Sequence, residues 1–276
     1  MSQQVWVNGA LVDAASAVVP VADHGLTVGD GLFETMKVVG GKAFAVTRHL
    51  RRLRRSAAGL GLRNVPDDGE LRAAIEMTVA ANGPDVGRVR LTVTGGPGPA
   101  GTTRGEAAPT VLVVCGPRTE WEASAAVATV PWPRNERGVL AGLKTTSYAE
   151  NVIALSHAHA AGASEALFGN TVGNLCEGTG TNVFVVLDGR LVTPPLAAGC
   201  LAGITRELLL EVASAGEQDV PMAALPEVQE AFLTSSTRDI QPIRSIDGRA
   251  LSSVPGALTT AAIDAWRTLE ASSLDP

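Results

Sequence analysis

The chain has 276 residues, 45% of them hydrophobic and 18% charged, which is enough apolar material for a sizeable core and excludes a disordered or fibrous polypeptide. Its net charge of −6 excludes a general attraction to nucleic acid or to anionic membranes, and no run of about 20 apolar residues exists to cross a bilayer. Cys115, Cys176 and Cys200 are odd in number and widely spaced, without a C-x-x-C pair. Buried reduced thiols are therefore expected, not a disulfide framework or a zinc site.

In chain order, "QVWVNGALV" and "FETMKVVGGKAFAV" read as hairpins about Asn8-Gly9 and Gly40-Gly41. The start "MSQQVWVNGALVD" has no basic stretch leading into an apolar one, so a cytoplasmic protein is expected. "RHLRRLRRSAAGLGL" places Leu50, Leu53, Ala57 and Leu60 on one helical face, and a second helix is predicted over 70–81. "VGRVRLTVTGG" alternates and predicts a half-exposed strand, whereas the continuous apolar run "PTVLVVCG" predicts a buried one. The composition turns polar after residue 117, which divides the chain into a small N-terminal domain (1–117), a linker (118–124) and a larger C-terminal domain (125–276).

The second half opens on "AVATVPWP", followed by a helix over 149–161 that ends at Gly162. Strands are expected at "EALFG", at "NVFVVLDGRLVTPP" around an Asp188-Gly189 turn, and at "EAFLTS". Helices are expected over 205–213 and 258–271. Mixed strands and helices in two blocks predict an α/β (α+β) fold of two domains.

Lys37, Lys42 and Lys144 are the only lysines, against 19 arginines, and Tyr148 is the only tyrosine. A lysine kept where the chain otherwise uses Arg points to a need for an amine, because an ammonium can lose its proton and attack a carbonyl while a guanidinium cannot. Lys144, in "LKTTSYAEN" just before a helix, is the candidate for a Schiff base. A solvated surface lysine is the alternative. Glu177, in "LCEGTGTNVFVV", sits before a strand of high β propensity, as a turn residue capping amides or as a fixed charge beside a ring nitrogen. "CLAGITRELLLEVA" puts Gly203, Ile204 and Thr205 at a helix start, where free amides and a hydroxyl suit an anion. "FLTSSTRD" offers Ser235 and Ser236 either for the same cradle or for a simple turn. In "RHLRRLRRS" most arginines form a solvated face, but one turned inward could bind a phosphate bidentately. His24, His49, His157 and His159 show no metal spacing, and no metal is expected.

Taken in order, "GDGLFET", "HLRRL", the Lys144 stretch, "EGTGTNVF", "LAGITRE" and "LTSSTRDIQPI" resemble the class IV, or fold type IV, pyridoxal-phosphate enzymes: branched-chain and D-amino-acid aminotransferases and aminodeoxychorismate lyase. The resemblance spans nearly the whole chain and implies a small N-terminal α/β domain, a larger cofactor-binding domain, a homodimer and a small-molecule amino substrate. It implies pyridoxal 5′-phosphate carried by Lys144, with Glu177 at the ring nitrogen. Arg52, Gly203, Ile204, Thr205, Ser235 and Ser236 would hold the phosphate, leaving Arg51 exposed, and Tyr148 would face the ring. Phe33, Thr35, Lys37 and Arg90 are the candidate substrate contacts. The Arg-x-His pair of the D-amino-acid aminotransferases is missing from "VTGGPGPAGTTRG", and "GDGLFET" is closer to the lyase style. The expected reaction is therefore pyruvate elimination from 4-amino-4-deoxychorismate, giving 4-aminobenzoate for folate synthesis. The alternative is a class IV transaminase of branched-chain amino acids, D-amino acids or (R)-amines.

Overall fold

Alternating apolar side chains build the first half of the protein around one antiparallel sheet, seen in a computed structural model that describes residues 2–276. Its elements are β1 (Gln4–Val7), β2 (Ala10–Asp13), α1 (His24–Thr27), β3 (Gly31–Val39), β4 (Lys42–Ala43), α2 (Val46–Leu60), α3 (Asp68–Asn82), β5 (Arg88–Thr94) and β6 (Val111–Gly116). The strand order is β2-β1-β6-β5-β3-β4. Leu32 and Met36 of β3, Val89, Leu91 and Val93 of β5, and Val111, Val113 and Cys115 of β6 face one way. There they meet Leu50 and Leu53 of α2 and Leu71, Ile75 and Val79 of α3 in a continuous core.

The opposite face is not closed by those helices. β6 was expected to be buried throughout, but Val114 is 40% exposed, because an antiparallel sheet covered by helices on one side leaves alternate residues on the other. The helices are fixed at their starts by different means. Asp67 and Glu70 form a reciprocal capping box on α3. α2 has no cap of its own, and the Asp275 carboxylate accepts from Thr47 N at 2.8 Å instead.

The remaining strands are β7 (Ala125–Thr129), β8 (Glu165–Gly169), β9 (Leu175–Gly178), β10 (Asn182–Leu187), β11 (Arg190–Thr193), β12 (Ala215–Glu217), β13 (Ala231–Ser235), β14 (Asp239–Ile246) and β15 (Arg249–Ala250). The helices are α4 (Ala149–Ala160), α5 (Ile204–Val212) and α6 (Ala257–Ser272). The order β12-β11-β10-β13-β14-β7-β8-β9 mixes parallel and antiparallel pairs, with β15 on β14. Only three residues join β9, at one end, to β10. They reach about 15 Å, whereas a flat sheet would hold those strands about 24 Å apart; the sheet must curl. One face packs Val127, Leu167, Val183, Val185, Leu233 and Ile243. The other packs Ala126, Ala128 and Phe168 against Ala154 and Ala158 of α4.

By packing the chain forms two units, divided at Thr119/Glu120, and the first of them also takes in Leu143–Tyr148. β14 was not expected from the sequence. Its Pro242 argues against an interior strand, yet Pro242 pairs with Phe232, and the ladder to β7 shifts register just beyond it, between Ile243 and Ser245.

Candidate active site

The stretch around Lys144 completes the edge of β3. Phe33 N donates to Lys144 O at 3.2 Å and Thr146 N to Gly31 O at 2.8 Å, beside a bridge between Leu32 and Thr145. β4 occupies the other end of the same edge, at Val38 and Val39. Lys144 N donates to Ser56 Oγ of α2 at 3.1 Å. Gly59, one turn away on α2, allows this approach, because a Cβ there would meet Leu143 Cδ1 at 2.7 Å. The lysine backbone is thus fixed by a strand on one side and a helix on the other.

Strand alternation puts Phe33, Thr35 and Lys37 on the face away from the helix-covered core, with cross-strand partners Thr92, Arg90 and Arg88. Lys144 Nζ lies 4.4 Å from the Phe33 ring centre and the Arg90 guanidinium carbon 3.7 Å from it. Tyr148 meets the same ring edge-on at 5.2 Å. Arg90 donates only a long bond, Nε to Thr92 Oγ1 at 3.3 Å, and no carboxylate pairs with it among the described residues. Burial pushes its guanidinium below the ordinary value, with Tyr148 acting the other way.

On the core face, Glu34 clamps Arg52 through Nε at 2.8 Å and Nη2 at 2.6 Å, and accepts from His49 Nδ1 at 2.6 Å. Burial pushes His49 down despite Glu34, with Arg52 and Lys144 adding to the fall, so the imidazole is a neutral donor here and not half of an ion pair. Burial alone would raise the Glu34 carboxyl; the charge and bonds of Arg52, with His49, hold it down at about 2.

In the second unit Glu177 lies within β9, not in a turn. Its Oε2 accepts from Leu201 N at 2.9 Å, and Arg134 Nε stands 3.7 Å from its Oε1. Leu201 leads into Gly203, the N-cap of α5, which offers no side chain to the helix start. Ile204 and Thr205 are buried at this uncapped end. A Cβ on Gly203 would lie 2.0 Å from Asn182 Oδ1, and Asn182 pairs with Thr234 immediately before Ser235. Ser235 Oγ accepts from Arg238 N at 3.2 Å in the turn that includes Ser236. The second unit therefore gathers Glu177, Gly203, Ile204, Thr205 and the Ser235 turn, while the first gathers Lys144, Tyr148, Phe33 and Arg90. Buried amide donors at an uncapped helix start are a donor set that fits a phosphate.

Sequence reasoning missed Glu34, Arg134 and Asn182. For Glu34 a signal existed, since "GLFETMKVV" places a carboxylate in register with Leu32 and Met36 on a core face. Arg134 follows "PWP" in a loop and carries no local pattern.

Residues 31–246 match the family model for class IV aminotransferases. The D-alanine aminotransferase of Listeria monocytogenes is 32% identical over 265 residues, covering 89% of this chain and 88% of that protein. The bifunctional aminodeoxychorismate lyase / D-amino acid transaminase of Mycobacterium tuberculosis is 31% identical over 277 residues, covering 91% and 93%. Among solved structures, a branched-chain aminotransferase of Thermoproteus uzoniensis with norvaline superposes with a TM-score of 0.90 at 30% identity, over 98% and 95% of the two chains. A hypothetical aminotransferase of Mycobacterium tuberculosis in its pyridoxal-phosphate-bound form gives 0.85 at 28%, over 96% and 98%. The chain belongs to the class IV aminotransferase family and is a pyridoxal-phosphate-dependent enzyme.

Proposed function

We propose that the enzyme removes pyruvate from 4-amino-4-deoxychorismate to leave 4-aminobenzoate, acting as a homodimer in the cytoplasm. The observation that carries this reading is a row of cations on the face of the first sheet turned away from α2 and α3. Lys37 and Arg88 are direct cross-strand partners there, with Arg90 two residues along on the same face. Like charges placed directly opposite are destabilising, so a row of three cations, of which Arg90 shares the Phe33 ring with Lys144, suits an anion with more than one carboxylate. Three buried free cysteines agree with a reducing compartment.

Pyridoxal phosphate, when bound, supplies an electron sink for the pair left as the substrate Cα–H bond breaks. Arg52, the first-turn amides of Ile204 and Thr205, and the hydroxyls of Thr205, Ser235 and Ser236 would hold its phosphate, with Glu177 at its ring nitrogen. The Lys144 amine would carry the cofactor and, once released, move the proton at Cα. Tyr148 and Phe33 would shield that amine from water. Departure of pyruvate is driven by the aromaticity the ring gains. A transaminase is the second reading, favoured by the activities named for the relatives, and the cation row would equally suit a dicarboxylic keto acid.

The purified holoenzyme, given aminodeoxychorismate and no keto acid, should release pyruvate and 4-aminobenzoate in equal amounts. Transamination of branched-chain or D-amino acids at about 1 per second or faster, with aminodeoxychorismate untouched, would replace the lyase by the second reading.

A further inference from the structure

Arg134 belongs to none of the motifs, yet its guanidinium is held from several sides. Its backbone N donates to Gly169 O at 2.8 Å. The guanidinium carbon lies 4.1 Å from the centre of the Phe168 ring. Nη2 donates to Asn151 Oδ1 at 2.6 Å, and Nη1 to Glu150 Oε2 at 3.2 Å. Nε is buried without a hydrogen-bond acceptor, and the atom it stands nearest in charge is Glu177 Oε1, at 3.7 Å. The arrangement follows from the ladder: Phe168 and Glu177 are cross-strand partners, so an arginine lying on Phe168 is set beside Glu177.

We infer that Arg134 is a positioning residue for Glu177, fixing its carboxylate from the side opposite Leu201 N and limiting how tightly that carboxylate holds a proton at the cofactor ring nitrogen. This rests on the reading of Glu177 as the partner of that nitrogen. One oxygen of Glu177 is held by a backbone amide and the other faces a cation, so the carboxylate keeps both its charge and its direction. A positive charge behind a carboxylate weakens its hold on a proton in front. The other groups near the pair do not replace this effect. Cys176 and Cys200 stay uncharged, because burial and then the charge of Glu177 push both thiols up. Glu136 bears on Cys176, and Glu150 lies on the solvent side of Arg134, 78% exposed.

The test follows the ring nitrogen itself. Holoenzyme loaded with cofactor labelled with nitrogen-15 in the ring is titrated by NMR as wild type, Arg134→Lys, Arg134→Gln and Glu177→Gln. Arg134→Gln should raise the pH at which the nitrogen loses its proton by about one unit, while Arg134→Lys should stay near wild type. A structural clamp alone would alter thermal stability and leave that titration unmoved. If Glu177→Gln shifts the titration and Arg134→Gln does not, Arg134 is only a clamp and the inference fails while the reading of Glu177 stands. If Glu177→Gln leaves it unchanged, the reading of Glu177 fails, and the inference with it. Should Arg134→Gln not fold, Phe168→Leu removes the plate beneath the guanidinium and must shift the titration upward; no shift overturns the inference.

Discussion

Arg51 and Arg52 are neighbours on α2 with opposite surroundings, one exposed and one 5% exposed in the grip of Glu34. A fork of two charge-assisted bonds fixes the plane of the Arg52 guanidinium, which is what a phosphate ligand requires. Arg52→Ala should therefore weaken cofactor binding by roughly ten-fold or more, and Arg51→Ala should not; equal losses in a cofactor titration would contradict Arg52 as the phosphate ligand. Glu34 also gives the fold an acid limit. Its carboxyl is held below the ordinary 4.5, so its stabilisation is complete above that pH and lost as the pH falls towards about 2. Denaturant titrations across that window should show a smaller decline for Glu34→Gln than for wild type. At this scale the inward turn of Arg52 beside an exposed Arg51 was legible in the motif, whereas the part proposed for Lys144 rests on the scarcity of lysine and the resemblance. Arg134 was not legible, because its meaning depends on Phe168 and Glu177, which only strand pairing brings beside it.

The helices were the most legible elements, because α2, α3, α5 and α6 have apolar faces and clear ends. The strands were less so. A continuous apolar run marks burial on two faces only if both are covered, and β6 has helices on one. β14 was hidden by Pro242, and β9 by the glycines and threonines that follow it. α4 presents a different feature: Val152 is 62% exposed and Ile153 56%, in a unit that also exposes Val139 at 87%. Side chains of this kind are what a second copy would cover. Light scattering of the holoenzyme should give a dimer of the 28.3 kDa chain, and Val152→Glu with Ile153→Glu should weaken it. An active monomer at micromolar concentration would contradict the homodimer.

Across the whole molecule the chain packs as two units, and Leu143–Tyr148 joins the first from beyond the break at residue 119, a placement that consecutive blocks of composition do not express. Backbone bonds from Gly31 and Phe33 put it there, and such long-range pairing leaves no trace in local composition. The motifs, by contrast, were legible because each states a local requirement, such as a small residue at a helix start or an arginine facing inward. Their order along the chain supplied the rest. Lys144, as the amine that carries the cofactor, is the residue on which the proposed chemistry depends. Borohydride treatment of the holoenzyme followed by peptide mapping tests it most directly: the cofactor should be found fixed to Lys144, with loss of the visible absorption band, and a label on Lys37 or Lys42 instead would contradict it.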